Sequence, residues 1–415
     1  METSCIVVGG GPAGLTAAIT AAKKGVMVTL VERNARPARK LMLTGKGRCN
    51  LTNKAELPEL IENMTKNGRF LYTAFSKFMP GDVMNWFEEM GVPLKTERGR
   101  RVFPASDRAV DIVDAIVGEA RRCGVRFRQG RAVSFLKDEG RVRGISLEDG
   151  EKLYANNVIV ATGGKSYPVT GSTGDGYTLA EQAGHSVVPP VPSLVPLVVR
   201  EGFVSNLVGL SLRNTGLLVL DKLKDRAVYK DFGGLMFTHF GVSGPVILSA
   251  SAHLRDMSDG RYRLSLDLKP ALTIERLDLR VQEDFLKYAS KDYINALSDL
   301  LPKKLVPVMV KRSRIPPSLK VHQITREMRR RLVLLLKDFR MTVKEFRPID
   351  EAVVTSGGVQ VGEISPRDMR SKLIKGLLFA GEVLDVDAYT GGYNLQIAFS
   401  TGFLAGLAAA EPEEE

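Results

Sequence analysis

The stretch Ser4-Cys5-Ile6-Val7-Val8-Gly9-Gly10-Gly11-Pro12-Ala13-Gly14 decides the fold. It begins as an apolar run and ends as a glycine-rich turn, and small residues follow over Leu15–Ala22. A second apolar run, Val26–Val31, ends on Glu32. This order of strand, glycine-rich turn, helix, strand and acidic residue is that of a dinucleotide-binding unit. The sequence therefore predicts an α/β fold of the Rossmann type.

Each part of this unit has a physical role. Gly9 permits the tight turn, Gly11 lets the backbone approach a pyrophosphate, and Gly14 lets the helix lie close to the strand. The helix N-terminus presents free N–H groups and the positive end of its dipole to the phosphates. Glu32 stands 18 residues after Gly14, where a carboxylate accepts hydrogen bonds from ribose hydroxyls. The alternative is a glycine-rich turn that arises by chance. The strand, helix and acidic residue all occur at the spacing that the motif requires, which argues against this alternative.

Composition bounds the class of protein. The chain has 415 residues, 44% of them hydrophobic, which suits two or three globular domains. No apolar run approaches the roughly 20 residues that a membrane span needs, and the N-terminal segment lacks the form of a signal peptide. Cys5, Cys49 and Cys123 are far apart and form no CxxC pair, which argues against disulfides or a zinc site. We therefore expect a cytoplasmic protein with no metal and no membrane partner.

The net charge of +12 is concentrated in one segment. Residues 301–347 contain 14 Lys and Arg against three acidic residues, so the rest of the chain is close to neutral. One strongly basic segment on a balanced protein suggests a polyanionic partner, and a solvated helix face is the alternative. The candidate phosphate-binding residues are Lys311, Arg312, Arg314, Arg326, Arg329, Arg330 and Arg331.

A basic, glycine-rich loop follows the nucleotide-binding unit over Arg33–Asn53. Long loops at this place are usually functional, and we expect this one to fold over the phosphates and ring of a cofactor. A solvated surface loop is the alternative. Three short alternating runs between residues 132 and 154 then precede a buried strand, Asn157–Ala161, which ends in Thr162-Gly163-Gly164. A strand, meander and strand in this order are typical of two-dinucleotide-type (glutathione-reductase-like) flavoproteins, with Thr162 and Gly163 near the cofactor.

The C-terminal segment completes a predicted flavin site. A buried strand ends in Gly381-Glu382, and a glycine-rich loop, Tyr389–Asn394, opens a long helix. The Glu382 carboxylate can accept a hydrogen bond from a ribityl hydroxyl or from a bridging water at the pyrophosphate. The N-terminus of the helix stabilises the negative charge that a reduced flavin develops. A plain turn at the two glycines is the alternative. Both ends of the chain are thus expected to hold one FAD between them.

The pattern also predicts the domains. Four prolines between Pro189 and Pro196 mark a boundary, after which β-type patterns continue to about Leu268 and helical patterns cover Thr273–Lys337. We therefore predict a discontinuous FAD-binding domain over residues 1–190 and 348–415. A β-barrel-like insertion is expected over residues 191–272 and about 338–347, and a basic helical insertion over residues 273–337.

Several motifs are long and specific, namely Thr44–Asn53, Phe237–Pro245, Thr355–Val359 and the run from Gly381-Glu382 to Tyr389–Asn394. They resemble the BaiN/RdsA family of NAD(P)/FAD-dependent oxidoreductases, also labelled aminoacetone-oxidase-like, over essentially the whole chain. That family includes a bile-acid reductase and the bacterial enzyme that makes dihydrouridine in large-subunit ribosomal RNA. The resemblance implies a two-part FAD domain with a β-barrel-like and helical insertion. It implies FAD contacts at Ala13, Glu32, Lys40, Leu41, Val133, Glu382, Asn394 and Leu395, with Arg48 and Asn50 in the loop beside the flavin.

Members of this family act on different substrates, so the reaction is left open. The first hypothesis is reduction of uracil in ribosomal RNA to dihydrouridine, with NAD(P)H as transient electron donor and the basic segment holding the RNA. The second is an enone reductase acting on a steroid-like or other conjugated ketone. An amine oxidase and a non-catalytic, flavin-bearing RNA-binding protein are further alternatives.

Two residues are candidates for the proton donor. Cys49 lies in the basic loop expected beside the flavin, and a small buried loop residue is the alternative. Neighbouring Arg48 is expected to lower the pKa of this thiol and so to weaken it as an acid. His239 is the second candidate, with a structural histidine as its alternative.

Overall fold

The computed structural model describes residues 4–258 and 260–412. Their contacts divide the chain into two compact units. Unit 1 comprises Met1–Ser193 with Pro348–Glu415, and unit 2 comprises Leu194–Arg347. Unit 2 is therefore one continuous segment inserted into a discontinuous unit 1.

Strands and helices alternate irregularly along the first part of unit 1. In chain order they are β1 (Ser4–Val8), α1 (Pro12–Lys23), β2 (Met27–Glu32), β3 (Thr52–Asn53), α2 (Leu57–Glu62), β4 (Met64–Lys66), α3 (Tyr72–Lys77), α4 (Pro80–Glu89), β5 (Leu94–Glu97), β6 (Arg101–Pro104), α5 (Ala109–Arg122), β7 (Arg126–Gln129), β8 (Ala132–Asp138), β9 (Arg141–Leu147), β10 (Lys152–Tyr154), β11 (Asn157–Val160), α6 (Asp175–Gln182) and β12 (Val187–Ser193).

Unit 2 is mostly β-structure at its start and helical towards its end. Its elements are β13 (Leu197–Val199), β14 (Ser211–Asp221), β15 (Arg226–Phe237), β16 (Gly241–Ser243), α7 (Pro245–Ser251), β17 (Tyr262–Asp267), α8 (Ile274–Lys287), α9 (Tyr293–Ala296), α10 (Val306–Ser313), α11 (Arg326–Lys337) and β18 (Phe339–Phe346). The chain then returns to unit 1 through β19 (Val354–Val359), β20 (Leu377–Phe379), β21 (Asp387–Ala388) and α12 (Tyr393–Ala410).

A parallel sheet in the order β20-β11-β1-β2-β7 forms the centre of unit 1. Strand β1 lies in the middle, paired with β2 on one side and with β11 on the other. Because all these strands run in the same direction, the glycine-rich turn after β1, Thr162 after β11 and Gly381 after β20 reach the same edge of the sheet. The Rossmann-type fold predicted from the sequence is confirmed.

One local pattern in unit 1 is overridden by a distant partner. Residues 56–90 show helical periodicity, yet Met64–Lys66 forms strand β4 because it pairs antiparallel with β21, over 300 residues away. The division between the units falls after Ser193, within the run Pro189–Pro196 that the sequence marks as a boundary. Strand β12 continues through the first prolines of that run and pairs with β19. The register of that pair shifts between Val188 and Val191, where two prolines offer no N–H to the ladder.

Unit 2 is built around a closed barrel in the order β13-β16-β15-β14-β17-β18. Alternation explains the inward face of β17, since Tyr262, Leu264 and Leu266 are buried while the residues between them are partly exposed. Helices α8 and α11 pack against each other and add their apolar faces to the same core. The β-barrel and helical insertion expected from the sequence is therefore present.

The first and last helices of unit 1 pack closely through glycines. A β-carbon added at Gly402 would lie 2.3 Å from the carbonyl oxygen of Ala13, and one added at Gly406 would lie 2.5 Å from that of Ala17. Such distances are shorter than real side-chain contacts, so only glycine allows α12 to lie this close to α1. The contact fixes the N-terminal turn of α1, which follows directly on the glycine-rich loop.

We expect Gly402→Ala to destabilise unit 1, because its methyl group meets backbone rather than a movable side chain. The cost expected for such overpacking is about 1–3 kcal/mol. The matched control is Gly118→Ala in α5, where an added β-carbon meets no atom within 4 Å. That substitution should stabilise the protein by roughly 0.5–1 kcal/mol. Thermal unfolding followed by circular dichroism checks both, and equal melting temperatures for the two variants would contradict the close-packing argument.

Candidate cofactor and active site

The glycine-rich turn leaves the N-terminus of α1 open. Gly9 has φ +108°, and a β-carbon there would lie 2.5 Å from the carbonyl oxygen of Ala161, so this turn requires glycine. At Gly14 an added β-carbon would lie 1.9 Å from the Gly9 carbonyl oxygen, which explains the close packing of helix and strand. Gly11 is different, because an added β-carbon would meet no atom within 4 Å. No side chain caps the helix here, so its first N–H groups face a space that suits a pyrophosphate.

Glu32 is fixed against this turn. One oxygen of its carboxylate accepts a hydrogen bond from the backbone N–H of Gly10 at 2.8 Å. The other accepts from the backbone N–H and the side-chain amide of Asn34, at 2.8 and 2.7 Å. The carboxylate thus has a single orientation at the end of β2, where the sequence predicts contact with a ribose.

Lys40 and Glu382, which are far apart in the sequence, meet in unit 1. The Lys40 ammonium lies 2.8 Å from the Glu382 carboxylate and donates to the Ser166 hydroxyl at 2.6 Å. The backbone N–H of Thr355 donates to the same carboxylate at 2.9 Å. Of these residues the sequence predicted Lys40 and Glu382. The sequence did not point to Ser166. Thr355 is the first residue of one of the motifs that carry the family resemblance, but no role was predicted for it.

Several buried polar atoms nearby have no hydrogen-bond partner within residues 4–258 and 260–412. They include the hydroxyl oxygens of Thr162 and Tyr177 and the side-chain oxygen of Asn50. Burial, and then the charges of Glu382 and Asp385, raise the pKa of Tyr177, so its hydroxyl keeps its proton and can donate. Buried polar groups in proteins normally have partners, so these atoms fit a polar ligand. Together with the open helix N-terminus, they fit FAD.

The N-terminus of α12 is arranged like that of α1. Gly392 precedes the helix without a side-chain cap, and a β-carbon there would lie 2.3 Å from the backbone of Thr52. The Asn394 side chain binds both the N–H and the carbonyl of Ala388, at 3.0 and 2.8 Å, and so holds the preceding loop. Leu395 is partly exposed in the first turn. The structure thus gives Asn394 a loop-holding role in addition to the predicted cofactor contact.

Other predicted cofactor residues take less direct positions. Leu41 is buried in the core. A β-carbon added at Gly163 would lie 3.9 Å from the Glu382 carboxylate. Val133 lies in β8, where its carbonyl oxygen accepts from the Gln182 side chain at 3.1 Å. A β-carbon added at Gly381 would lie 2.7 Å from that of Ala13, which brings the β20 turn onto the start of α1.

Arg48 is engaged by acidic residues of unit 1. Its guanidinium pairs with Asp107 at 2.6 Å and with Glu97, and it lies 4.2 Å from the centre of the Phe103 ring. Lys95 and then Arg48 hold the pKa of Asp107 below its usual range. These contacts fasten the glycine-rich loop to β5 and to the turn after β6. They also pair the charge of Arg48 with two carboxylates.

Cys49 is fully buried, and it has φ +59° in the turn at the end of this loop. Burial raises the pKa of the Cys49 thiol to about 12, and a hydrogen bond with Thr44 opposes this only in part. The expectation that Arg48 lowers this pKa was wrong, because desolvation dominates and Arg48 is neutralised by carboxylates. The thiol is therefore protonated at neutral pH.

His239 lies in unit 2, in the turn between β15 and β16. Its side chain is exposed and its ring contacts the edge of Phe240.

The basic residues of unit 2 divide into packed and exposed groups. The Arg312 guanidinium packs on the rings of Phe203 and Phe339, and burial lowers its pKa. Arg329 of α11 pairs with Asp278 of α8 at 2.8 Å. These contacts hold α10 and α11 in place, so Arg312 and Arg329 are less suited to phosphate binding than the sequence suggests. Arg331 is exposed and reaches Glu327 of the same helix at 3.4 Å. Lys311, Arg314, Arg326 and Arg330 are also exposed.

The chain matches the family model described as "HI0933-like protein Rossmann domain" over residues 3–408. The chain belongs to this HI0933-like family. The resemblance found in the sequence motifs is thereby confirmed.

Two curated relatives illustrate the range of the HI0933-like family. A protein of Clostridium scindens named "3-dehydro-bile acid delta(4,6)-reductase" is 32% identical over 98% of both chains. A protein of Escherichia coli named "Ribosomal RNA dihydrouridine synthase" is 30% identical over 96% of both chains.

Solved structures support the fold of this HI0933-like chain. A flavocytochrome c3 fumarate reductase aligns with 99% of this chain and 78% of its own, with a TM-score of 0.53 and 19% identity. A 3-ketosteroid-delta4-(5alpha)-dehydrogenase from Rhodococcus jostii aligns with 99% and 98%, with a TM-score of 0.52 and 17% identity. The family membership, the fold and the geometry described above show that the chain is an FAD-dependent oxidoreductase.

Among residues 4–258 and 260–412, no group of three or more His, Cys, Asp or Glu side chains is placed to hold a metal ion. Within the same residues, no helix combines the length and apolar character needed to cross a lipid bilayer.

We predict that only Cys123 reacts with a thiol reagent in the native protein. Cys5 and Cys49 are buried, and burial raises the pKa of each to about 12, whereas Cys123 is partly exposed. Titration with dithionitrobenzoate should therefore modify one thiol before unfolding and all three afterwards. Cys123→Ser is the control, since it should abolish the native reaction. Fast native labelling of that variant would show that the Cys49 thiol is accessible and ionised.

Proposed function

We propose that this protein reduces uridine to dihydrouridine in large-subunit ribosomal RNA. The observation that carries the proposal is the distribution of charge. Unit 2 contains 28 Lys and Arg against 16 Asp and Glu, so it holds the whole net charge of +12, while unit 1 is neutral. A polyanionic substrate accounts for such an insertion, because cations that neutralise phosphates contribute strongly to nucleic-acid affinity. Two relatives named ribosomal RNA dihydrouridine synthase, 30% and 31% identical, agree with it.

The cofactor residues of unit 1 provide the binding half of the mechanism. The open N-terminus of α1 would receive the pyrophosphate, and Glu32 would accept hydrogen bonds from a ribose. The Lys40–Glu382 pair and the buried hydroxyls of Thr162 and Tyr177 would hold further polar groups of FAD. When bound and reduced, FAD supplies the hydride for the C5=C6 bond of the base. No second complete GxGxxG unit is evident in the sequence, so we propose NAD(P)H as a donor that docks transiently.

The reduction also needs one proton at C5 of the base. A donor must be protonated at neutral pH, and the raised pKa of Cys49 meets this condition. Its complete burial means that the turn over Thr44–Cys49 has to move before the thiol reaches a base. His239 is exposed and is the second candidate. Cys49→Ala and His239→Asn, assayed separately for turnover with the flavin spectrum as control, decide between them.

Nucleoside mass spectrometry of large-subunit ribosomal RNA tests the proposed function. Deletion of the gene should remove dihydrouridine, which is heavier than uridine by two hydrogens, and the wild-type gene should restore it. RNA that is unchanged on deletion, although the purified protein carries FAD, would refute the proposal.

Reversing the exposed cations of unit 2 tests how the substrate is held. A variant with Lys311, Arg314, Arg326 and Arg330 all changed to Glu should lose about 100-fold or more in ribosomal RNA affinity. The flavin spectrum should not change, because unit 1 is untouched. The matched control reverses four exposed lysines of unit 1, namely Lys24, Lys54, Lys77 and Lys152. An equal loss in both variants would show that position is unimportant and that only total charge counts.

A small-molecule enone reductase is the second candidate, favoured by the bile-acid reductase at 32% identity. Its hydride step is the same, but it has no need of the charge on unit 2. The charge-reversed variant of unit 2 would then retain full turnover with a conjugated ketone, measured as NAD(P)H consumption.

A further inference from the structure

Large apolar side chains are exposed on the outer face of β15. Phe232 is 54% exposed and Met236 is 40% exposed. Successive residues of a strand point to opposite sides, so these two share a face, while Leu235 and Phe237 point inwards and are buried in the barrel. Two exposed side chains of this size on one face of one strand call for an explanation by binding.

The two neighbours of Phe232 on this face are glycines. Gly216 of β14 lies opposite Phe232 across the ladder, and Gly234 lies on the same face between Phe232 and Met236. The side chains nearest to these glycines are those of Asp267, whose carboxylate pairs with Lys337 at 2.5 Å, and of Pro245. More than half of the Phe232 side chain thus stays exposed and available for contact.

Cations flank this face. Lys230 precedes Phe232 on the same side of β15, and Arg213 is exposed where β14 bulges opposite Gly234. Asp231 directs its side chain to the other side of the strand, where its carboxylate accepts from the Tyr229 hydroxyl and from the N–H of Phe232, both at 2.7 Å. The side of β15 that carries Phe232 therefore bears Lys230 and no acidic residue of β15, in the unit that holds the whole net charge.

We propose that Lys230, Phe232, Met236 and Arg213 form a stacking platform for an unpaired base of RNA. The inference rests on the proposed function and extends it from phosphate contacts to a base contact. Aromatic side chains flanked by cations bind single-stranded nucleic acid in this way, because every base has a flat face and every nucleotide has a charge. The platform selects unpaired RNA, since bases stacked in a duplex have no free face.

The test uses the full-length holoenzyme and two probes, a roughly 12-nucleotide oligouridylate and an RNA duplex of the same length. Phe232→Ala should weaken binding of the single strand by about tenfold, measured by fluorescence anisotropy, and leave duplex binding unchanged. Phe232→Trp should bind as the wild type does, because its ring also stacks. Lys230→Ala should lower the slope of log affinity against log salt concentration by about 0.7.

Leu223→Ala is the matched control. Leu223 is an exposed apolar residue in the same hairpin, at the turn between β14 and β15. The Leu223→Ala variant should bind both probes as the wild type does. All variants should unfold at the wild-type temperature because the changes are on the surface. Wild-type affinity of Phe232→Ala for the single strand would overturn the inference. The inference would also be overturned if Phe232→Ala adsorbed less to phosphatidylglycerol vesicles than the wild type but bound RNA equally well.

Dihydrouridine formation separates this inference from the proposed function. If the wild type makes dihydrouridine and Phe232→Ala binds the single strand normally, the platform is refuted and the proposed function stands. If the wild type makes none while Phe232→Ala still loses single-strand affinity, the platform stands and the proposed reaction is refuted.

Discussion

The close contact between α1 and α12 is the constraint on which the cofactor unit depends. Gly402 and Gly406 let the last helix lie against the backbone of the first, so that the turn at Gly381 meets Ala13. The two ends of the chain are thereby brought to one edge of the sheet. The open N-terminus of α1, the carboxylate of Glu32 and the Lys40–Glu382 pair then face one region, and Glu382 reaches it from the other end of the sequence.

The sequence was sufficient where a residue's role is decided by its immediate neighbours. The turn over Gly9–Gly14 and the carboxylate of Glu32 are of this kind, since spacing along one strand and one helix determines where they lie. It was insufficient where a distant partner changes the environment. Met64–Lys66 is a strand because of Asp387–Ala388, and nothing in its own pattern shows this.

The basic loop shows the same limit in its electrostatics. Arg48 next to Cys49 suggests an acidic thiol, but Glu97 and Asp107 neutralise the guanidinium and burial raises the thiol pKa. In the same way, a run of arginines in α11 looks like one cationic face. The structure places Arg329 on Asp278 and leaves Arg326 and Arg330 exposed, because a helix directs successive residues to different neighbours. The sequence did not indicate Tyr177 as a site residue. Its role is suggested only by a buried hydroxyl that has no hydrogen-bond partner among the described residues.

The insertion of unit 2 as one continuous segment has a consequence for synthesis on the ribosome. All elements of the barrel and its helices lie within Leu194–Arg347, so unit 2 can complete its fold while the C-terminal residues are still being added. The central sheet of unit 1 lacks β20, and α1 lacks its partner α12, until residues 377–410 have been synthesised. At about 5–20 residues per second, these residues follow unit 2 by several seconds. During that interval the apolar faces of α1 and β11 are uncovered, so a nascent chain with a folded unit 2 still exposes surface that a chaperone can bind.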